Sequence, residues 1–171
     1  MKNIQHYTKQ SGTVLFVSLI LLLIMTLLGI TGMQTTILEE KMAGNYRDQT
    51  IAFQAAESTL RDAEKDIRST RISGLTQMTS SCTNGLCYDN GNSIPGIWDD
   101  SSKMANAVSY GTYTGIGNLP GVSSQPKYLI VGIPFIAPGA AQPKDAYVIT
   151  AIAEGGSSSA KSILQTVYAP N

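Results

Sequence analysis

The sequence predicts an α+β protein in which a long N-terminal α-helix, about residues 13–71, packs on a C-terminal antiparallel β-sheet. Three observations lead there. Residues 10–38 carry no charge and are dominated by Leu, Ile, Val and Met. Met42, Tyr46, Gln49, Phe53, Ala56, Leu60, Ala63 and Ile67 then follow in alternating steps of four and three, one helical stripe with a single polar interruption. After residue 106 come four segments with strand character: "AVSYGTYTGI", "KYLIVGIPFI", "AYVITAIA" and "KSILQTVYA".

The first element is too long for an ordinary secretory signal. Thr13 to Leu38 is 26 uncharged residues, whereas the apolar centre of such a signal holds about 7 to 15 and precedes a small-residue cleavage site. As a helix those residues extend about 39 Å, enough to cross a hydrocarbon core of about 30 Å. Lys2 and Lys9 precede the run, and Glu39, Glu40 and Lys41 follow it. That asymmetry places the N-terminus in the cytoplasm and the chain after residue 38 across the membrane, in the periplasm of a single-pass protein.

Beyond the apolar run the helix needs only one buried face, which the stripe supplies for packing against a sheet. Glu57 with Arg61 and Glu64 with Arg68 add i,i+4 pairs, each contributing about 0.2 to 0.5 kcal/mol. Residues 72–106 are rich in Ser, Asn, Gly and Asp and read as an irregular connection, a candidate contact region on a rigid scaffold. Cys82 and Cys87 lie within it; across the membrane they can form a disulfide closing "CTNGLC", the alternative being two unrelated thiols. Asp99 and Asp100 beside Trp98 invite a calcium reading, but the spaced oxygen ligands of a calcium loop are missing, and a solvated pair is the plainer account. The last strands are joined by "APGAAQP" and "EGGSSS", short connections that favour antiparallel neighbours.

Composition removes several function classes. Twelve basic and twelve acidic residues give no electrostatic footprint for nucleic acid. The single histidine, His6, precedes the apolar run, so the chain beyond it has no imidazole for a Ser-His-Asp or Cys-His nucleophile or for a His-containing zinc site. Neither a glycine-rich phosphate loop nor a nucleophile elbow is present, and no enzyme, cofactor or metal is expected.

"SGTVLFVSLILLLIMTLLGITGMQTTILEEKMAGNYRDQTIAFQAAESTLRDAE" resembles the N-terminal region of PilX-type minor pilins of type IV pili. "MQTTILEEKMAGN" followed by "AFQAAE" is the specific part; the resemblance is strong over residues 12–66 and only general beyond. It implies a pilin-like fold, with residues 1–12 as leader, 13–38 as transmembrane and filament-core helix, and 39–171 as a periplasmic globular domain. Prepilin peptidase would cut between Gly12 and Thr13, with methylation of the new amino group on Thr13. The implied partners are other minor pilins, the major pilin, the inner-membrane assembly platform and a large tip adhesin. The implied role is initiation of a pilus that reaches the cell surface and supports twitching motility and adhesion.

Two positions depart from the usual pattern. Thr13 stands where most mature pilins begin with phenylalanine or methionine, and Val17 stands where most major pilins carry a glutamate. That glutamate is the counter-charge for a neighbour's amino terminus in an apolar filament core. A subunit with Val17 instead is suited to the tip, where nothing lies above it. Two other readings keep the anchor: a tip pseudopilin of a type II secretion system, and a periplasmic binding protein that never polymerises.

Overall fold

A computed structural model describes residues 12–88, 96–135 and 144–170, with the Lys144 side chain excluded. It divides into two units, residues 1–44 and 45–171. Helix α1 spans Thr13–Ile67 and is followed by β1 (Leu86–Tyr88), α2 (Ser101–Met104), β2 (Val108–Ser109), β3 (Lys127–Phe135), β4 (Lys144–Glu154) and β5 (Lys161–Tyr168). The class is the expected α+β, a long N-terminal helix with a C-terminal sheet.

In the first unit α1 is exposed, and from Thr13 to Leu38 it is uncharged on every side. Its few hydroxyls turn inward. Ser18 and Thr26 donate to carbonyls three residues back, and Thr35 and Thr36 to carbonyls four back. A helix so arranged leaves little polar hydrogen unsatisfied, which is what a lipid environment demands.

In the second unit the sheet order is β1-β3-β4-β5, with β2 also pairing with β3. β3 with β4 and β4 with β5 are antiparallel, as the short connections suggested. β1 runs parallel to β3, Cys87 opposite Val131, so the sheet is mixed rather than wholly antiparallel. The reason is topological: the chain from β1 passes through α2 and β2 before β3, long enough to return it in the same direction. The segment "AVSYGTYTGI" forms strand only at Val108–Ser109, because Gly111, at φ 77°, turns the chain away. The connection "APGAAQP" lies outside the described residues.

α1 buries only part of the expected stripe: Ala56, Ala63 and Ile67 are buried and Leu60 is partly so, but the large residues nearer the N-terminus are not. Tyr46 is 77% and Phe53 50% exposed, whereas Ala52, Ala55, Ala56, Thr59, Asp62, Ala63, Asp66 and Ile67 are buried. Small side chains bring the helix axis close to the sheet, and Ala55 and Ala56 pack on Ala153 with Leu119, Val122 and Leu164 around them. Further along, Ala63 and Ile67 join Ile72, Met78, Leu86, Tyr128, Ile130, Tyr147 and Ile149 in the main core. The other face of the sheet, with Leu129, Val131 and Val148, is covered by the cystine, Ile97 and Trp98.

The helix ends at Ile67, about a turn before the expected Arg71. Ser69 Oγ donates to the Asp66 carbonyl at 2.6 Å, and Arg71 folds back onto the Asp66 carboxylate. Of the two expected surface pairs, Glu57 with Arg61 forms at 2.5 Å. Arg68 instead donates from Nε to Tyr168 Oη at 3.0 Å, its guanidinium 5.4 Å from that ring's centroid.

Candidate functional site

Two features organise the chain chemically: the apolar half of α1, and a buried polar network that fastens the other half to the globular domain. In the first, Gly12 precedes the helix and Thr13 is its first residue; residues 1–11 of the expected leader lie outside the described residues. Val17 is exposed among Thr13, Val14, Ser18 and Leu21. Among the described residues, α1 is the helix long and apolar enough to cross a membrane by length and composition. It fits a single-pass anchor.

The network begins with two aspartates one turn apart on the buried face of α1. Asp62 Oδ2 accepts from the Gly111 amide at 2.7 Å, and its Oδ1 accepts from the Thr114 hydroxyl. Asp66 Oδ1 accepts from Arg71 Nε at 2.8 Å, and its Oδ2 accepts from Arg71 Nη2 and, at 2.9 Å, from Tyr128 Oη on β3. Fully buried carboxylates persist only when their oxygens are satisfied: both are hydrogen-bonded, and Asp66 is also paired with Arg71. Burial pushes the Tyr128 phenol well up, and the adjacent Asp66 charge adds to it. Burial alone would lower Arg71, but the bond to and attraction of Asp66 more than offset it and raise its pKa.

Arg71 carries the network outward. Its guanidinium lies 3.8 Å from the Tyr113 ring centroid, and Nη1 donates to the Asn84 carbonyl at 3.4 Å. Asn84 belongs to the turn closed by the disulfide Cys82–Cys87, whose Cα atoms are 4.0 Å apart. Both half-cystines are buried, and Thr79 pairs with Cys87 so that the turn is stitched to β1. One set of contacts thus joins the end of α1, strand β3, the 110–115 turn and the cystine turn.

Nothing in composition announced this network, yet one signal was available: Asp62 and Asp66 share the helical phase of Ala52, Ala55, Ala56, Thr59 and Ala63. Asp100, by contrast, has a local role. It caps α2, accepting from the Ser102 and Lys103 amides at 3.0 and 3.2 Å, and the Ser102 hydroxyl chiefly holds its carboxyl below the ordinary aspartate value. Among the described residues no cluster of three His, Cys, Asp or Glu is placed to hold a metal.

A membrane-length apolar helix continuing into the packed helix of a small α+β domain defines a pilin-like subunit. The comparisons give the family. Residues 11–61 match the family model described as PilX N-terminal, and residues 69–170 match that of the type IV pilus assembly protein PilX C-term. The chain belongs to the PilX family of type IV pilus assembly proteins, structural components of the pilus machinery rather than an enzyme family. No curated protein and no solved structure matches it.

Proposed function

We propose that the chain is a minor pilin that helps to initiate type IV pilus assembly and takes a place at or near the tip. It is cut between Gly12 and Thr13 by prepilin peptidase and methylated on Thr13. It waits in the inner membrane with residues 13–38 spanning the bilayer and residues 39–171 in the periplasm. Other minor pilins and the major pilin then pack their apolar helices against it on the assembly platform, a large tip adhesin docks on the head, and the finished pilus supports twitching and adhesion.

The observation that carries this reading is Val17. In an apolar filament core the amino terminus of a subunit already in place is a buried cation, which is costly unless the subunit docking beneath it supplies a carboxylate. Val17 supplies none, and the stretch from Thr13 to Leu38 contains no acid at all. Such a subunit accepts followers through its apolar surface but is a poor one to add beneath another.

Two measurements test it. Mass spectrometry of the membrane-extracted protein is expected to find N-methyl-threonine at position 13; an intact Met1 terminus would overturn the processing. Deletion is expected to reduce pilus number and surface motility, and a deletion strain with normal pili would remove the assembly role.

A further inference from the structure

Strand β5 ends the sheet, and natural edge strands are usually blunted by charge, proline, bulges or brevity. β5 uses none of these along most of its length. All eight of its residues pair one-to-one with β4, from Lys161 opposite Glu154 to Tyr168 opposite Tyr147, so there is no bulge. Its single charge is at its first residue, and Lys161 is already paired with Glu154 at 3.2 Å.

Exposed apolar side chains flank this edge on both faces, with Gln165 between them on one and Ser162 and Thr166 on the other. On the face away from α1, Ile163 is 42% and Val167 65% exposed. On the α1 side, a recess of about 390 Å³ is lined by Tyr46, Gln49, Thr50, Phe53 and Ser162. An extended chain laid along β5 would add main-chain hydrogen bonds while its alternate side chains covered Ile163 and Val167 on one face and the Tyr46–Phe53 shelf on the other. The far end of the edge is cationic: Arg68 rests on Tyr168 and has no carboxylate partner among the described residues.

We infer that β5 accepts an extended strand from another pilus subunit, an uncharged segment of alternating β-branched residues with a carboxylate near the end that meets Arg68. The edge selects a strand because only a strand matches its backbone repeat. The cation at one end and the neutral stretch before it select the charge. In naming a pilus subunit as partner the inference rests on the assembly reading above.

The test uses the full chain in detergent micelles and a synthetic octapeptide, acetylated and amidated at its ends, alternating valine and threonine and ending in aspartate. Amide hydrogen exchange in β5 is expected to slow by about tenfold on adding the peptide, as for newly formed strand pairing. A peptide N-methylated at alternate amides is expected to give no protection. Val167→Lys, at an exposed position, is expected to abolish protection while leaving the thermal melting temperature unchanged. Arg68→Gln is expected to weaken binding of the aspartate peptide but not of its asparagine counterpart. Unchanged exchange, or equal protection by the N-methylated peptide, overturns the proposal; concentration-dependent protection without peptide overturns the partner by making it a second copy of this chain. In cells, Val167→Lys with normal pilus number defeats this inference and leaves the assembly role standing, whereas a piliated deletion strain defeats that role itself.

Discussion

Asp66 on α1 and Tyr128 on β3 meet at 2.9 Å in the interior, both fully buried, with Arg71 closing on the same carboxylate. This contact fixes how the helix is seated on the sheet, since Tyr128 is at the centre of the main core. Asp66→Ala strands a partly buried guanidinium and a buried phenol, and breaking such a pair costs about 3 to 5 kcal/mol. Tyr128→Phe removes one bond to a carboxylate that keeps Arg71, at about 1 to 3 kcal/mol. Urea melts of the domain should rank the two in that order, and equal costs would show that Arg71 contributes little.

A second prediction concerns the hairpin between β4 and β5. A Cβ on Gly155 would lie 2.4 Å from the Asp48 carbonyl oxygen of α1, closer than any tolerated contact, and backbone cannot swing away as a side chain can. Gly155→Ala should therefore destabilise by about 1 to 3 kcal/mol, as overpacking does. Gly121→Ala, with open space around its Cβ but φ at 77°, isolates the cost of a positive φ alone. A larger loss of melting temperature at Gly155 is the expected result.

These positions show what was legible in the sequence and what was not. The apolar run, the helix beyond it and the strands β3 to β5 were written in local periodicity and in short connections, which need no knowledge of the partner surface. The stripe held at Ala56, Ala63 and Ile67 but misled at Tyr46 and Phe53, because periodicity gives the angle between apolar residues but not how closely each part of the helix meets the sheet. Alanines won that face since close approach to β4 leaves no room for a ring. β1 escaped notice because three residues carry no period, and its neighbours on either side, Thr79 and β3, cannot be read from so short a segment. Asp62 and Asp66 carried no local signal of their partners because Gly111, Thr114 and Tyr128, which they meet, are about 50 residues or more away in sequence.

Acid should loosen the hairpin before it unfolds the domain. The Ser157 hydroxyl, opposed by desolvation and helped by the Ser157 and Gly156 amides, holds the Asp48 carboxyl below its ordinary 3.8. Ser124 first, then Lys161 and Ser123, hold Glu154 below 4.5. A carboxylate depressed in the folded state contributes stability that is complete above its unfolded value and lost as pH falls through the folded one. Between neutrality and about pH 5 no change is expected. Below the ordinary carboxylate values the amides of residues 155–160 should exchange faster, and Asp48→Asn should remove part of that acid dependence.

The disulfide offers a cleaner separation of stability from function. Closing so short a loop restricts the unfolded chain by about 2 kcal/mol in the entropic account. Replacing both Cys82 and Cys87 by alanine should lower stability by that order and release the turn that carries Asn84, so the Arg71 to Asn84 contact is lost. Near-ultraviolet circular dichroism of Trp98, which packs beside the cystine, should report the change. An unaltered signal would mean that Ile97 and Leu129 hold this face without the bond.

The sharpest functional prediction is Val17→Glu. Val17 is exposed on α1, so the substitution disturbs no packing within the chain and acts only on what surrounds the helix. In the membrane a lone carboxylate at this depth is unfavourable, by about 2.5 to 3.5 kcal/mol at a helix centre and less near its end. In a filament the same carboxylate would meet the amino terminus of a neighbouring subunit, and a buried cation that gains a counter-charge recovers that cost. The variant should thus gain the contact that lets a subunit enter the shaft. Immunogold labelling is expected to move from the pilus ends to positions along the fibre, with more copies per pilus. Val17→Gln, which adds similar bulk without charge, should leave the label at the ends. Label that stays at the ends in Val17→Glu, or that is already spread along the shaft in the wild type, would remove the argument for a tip position.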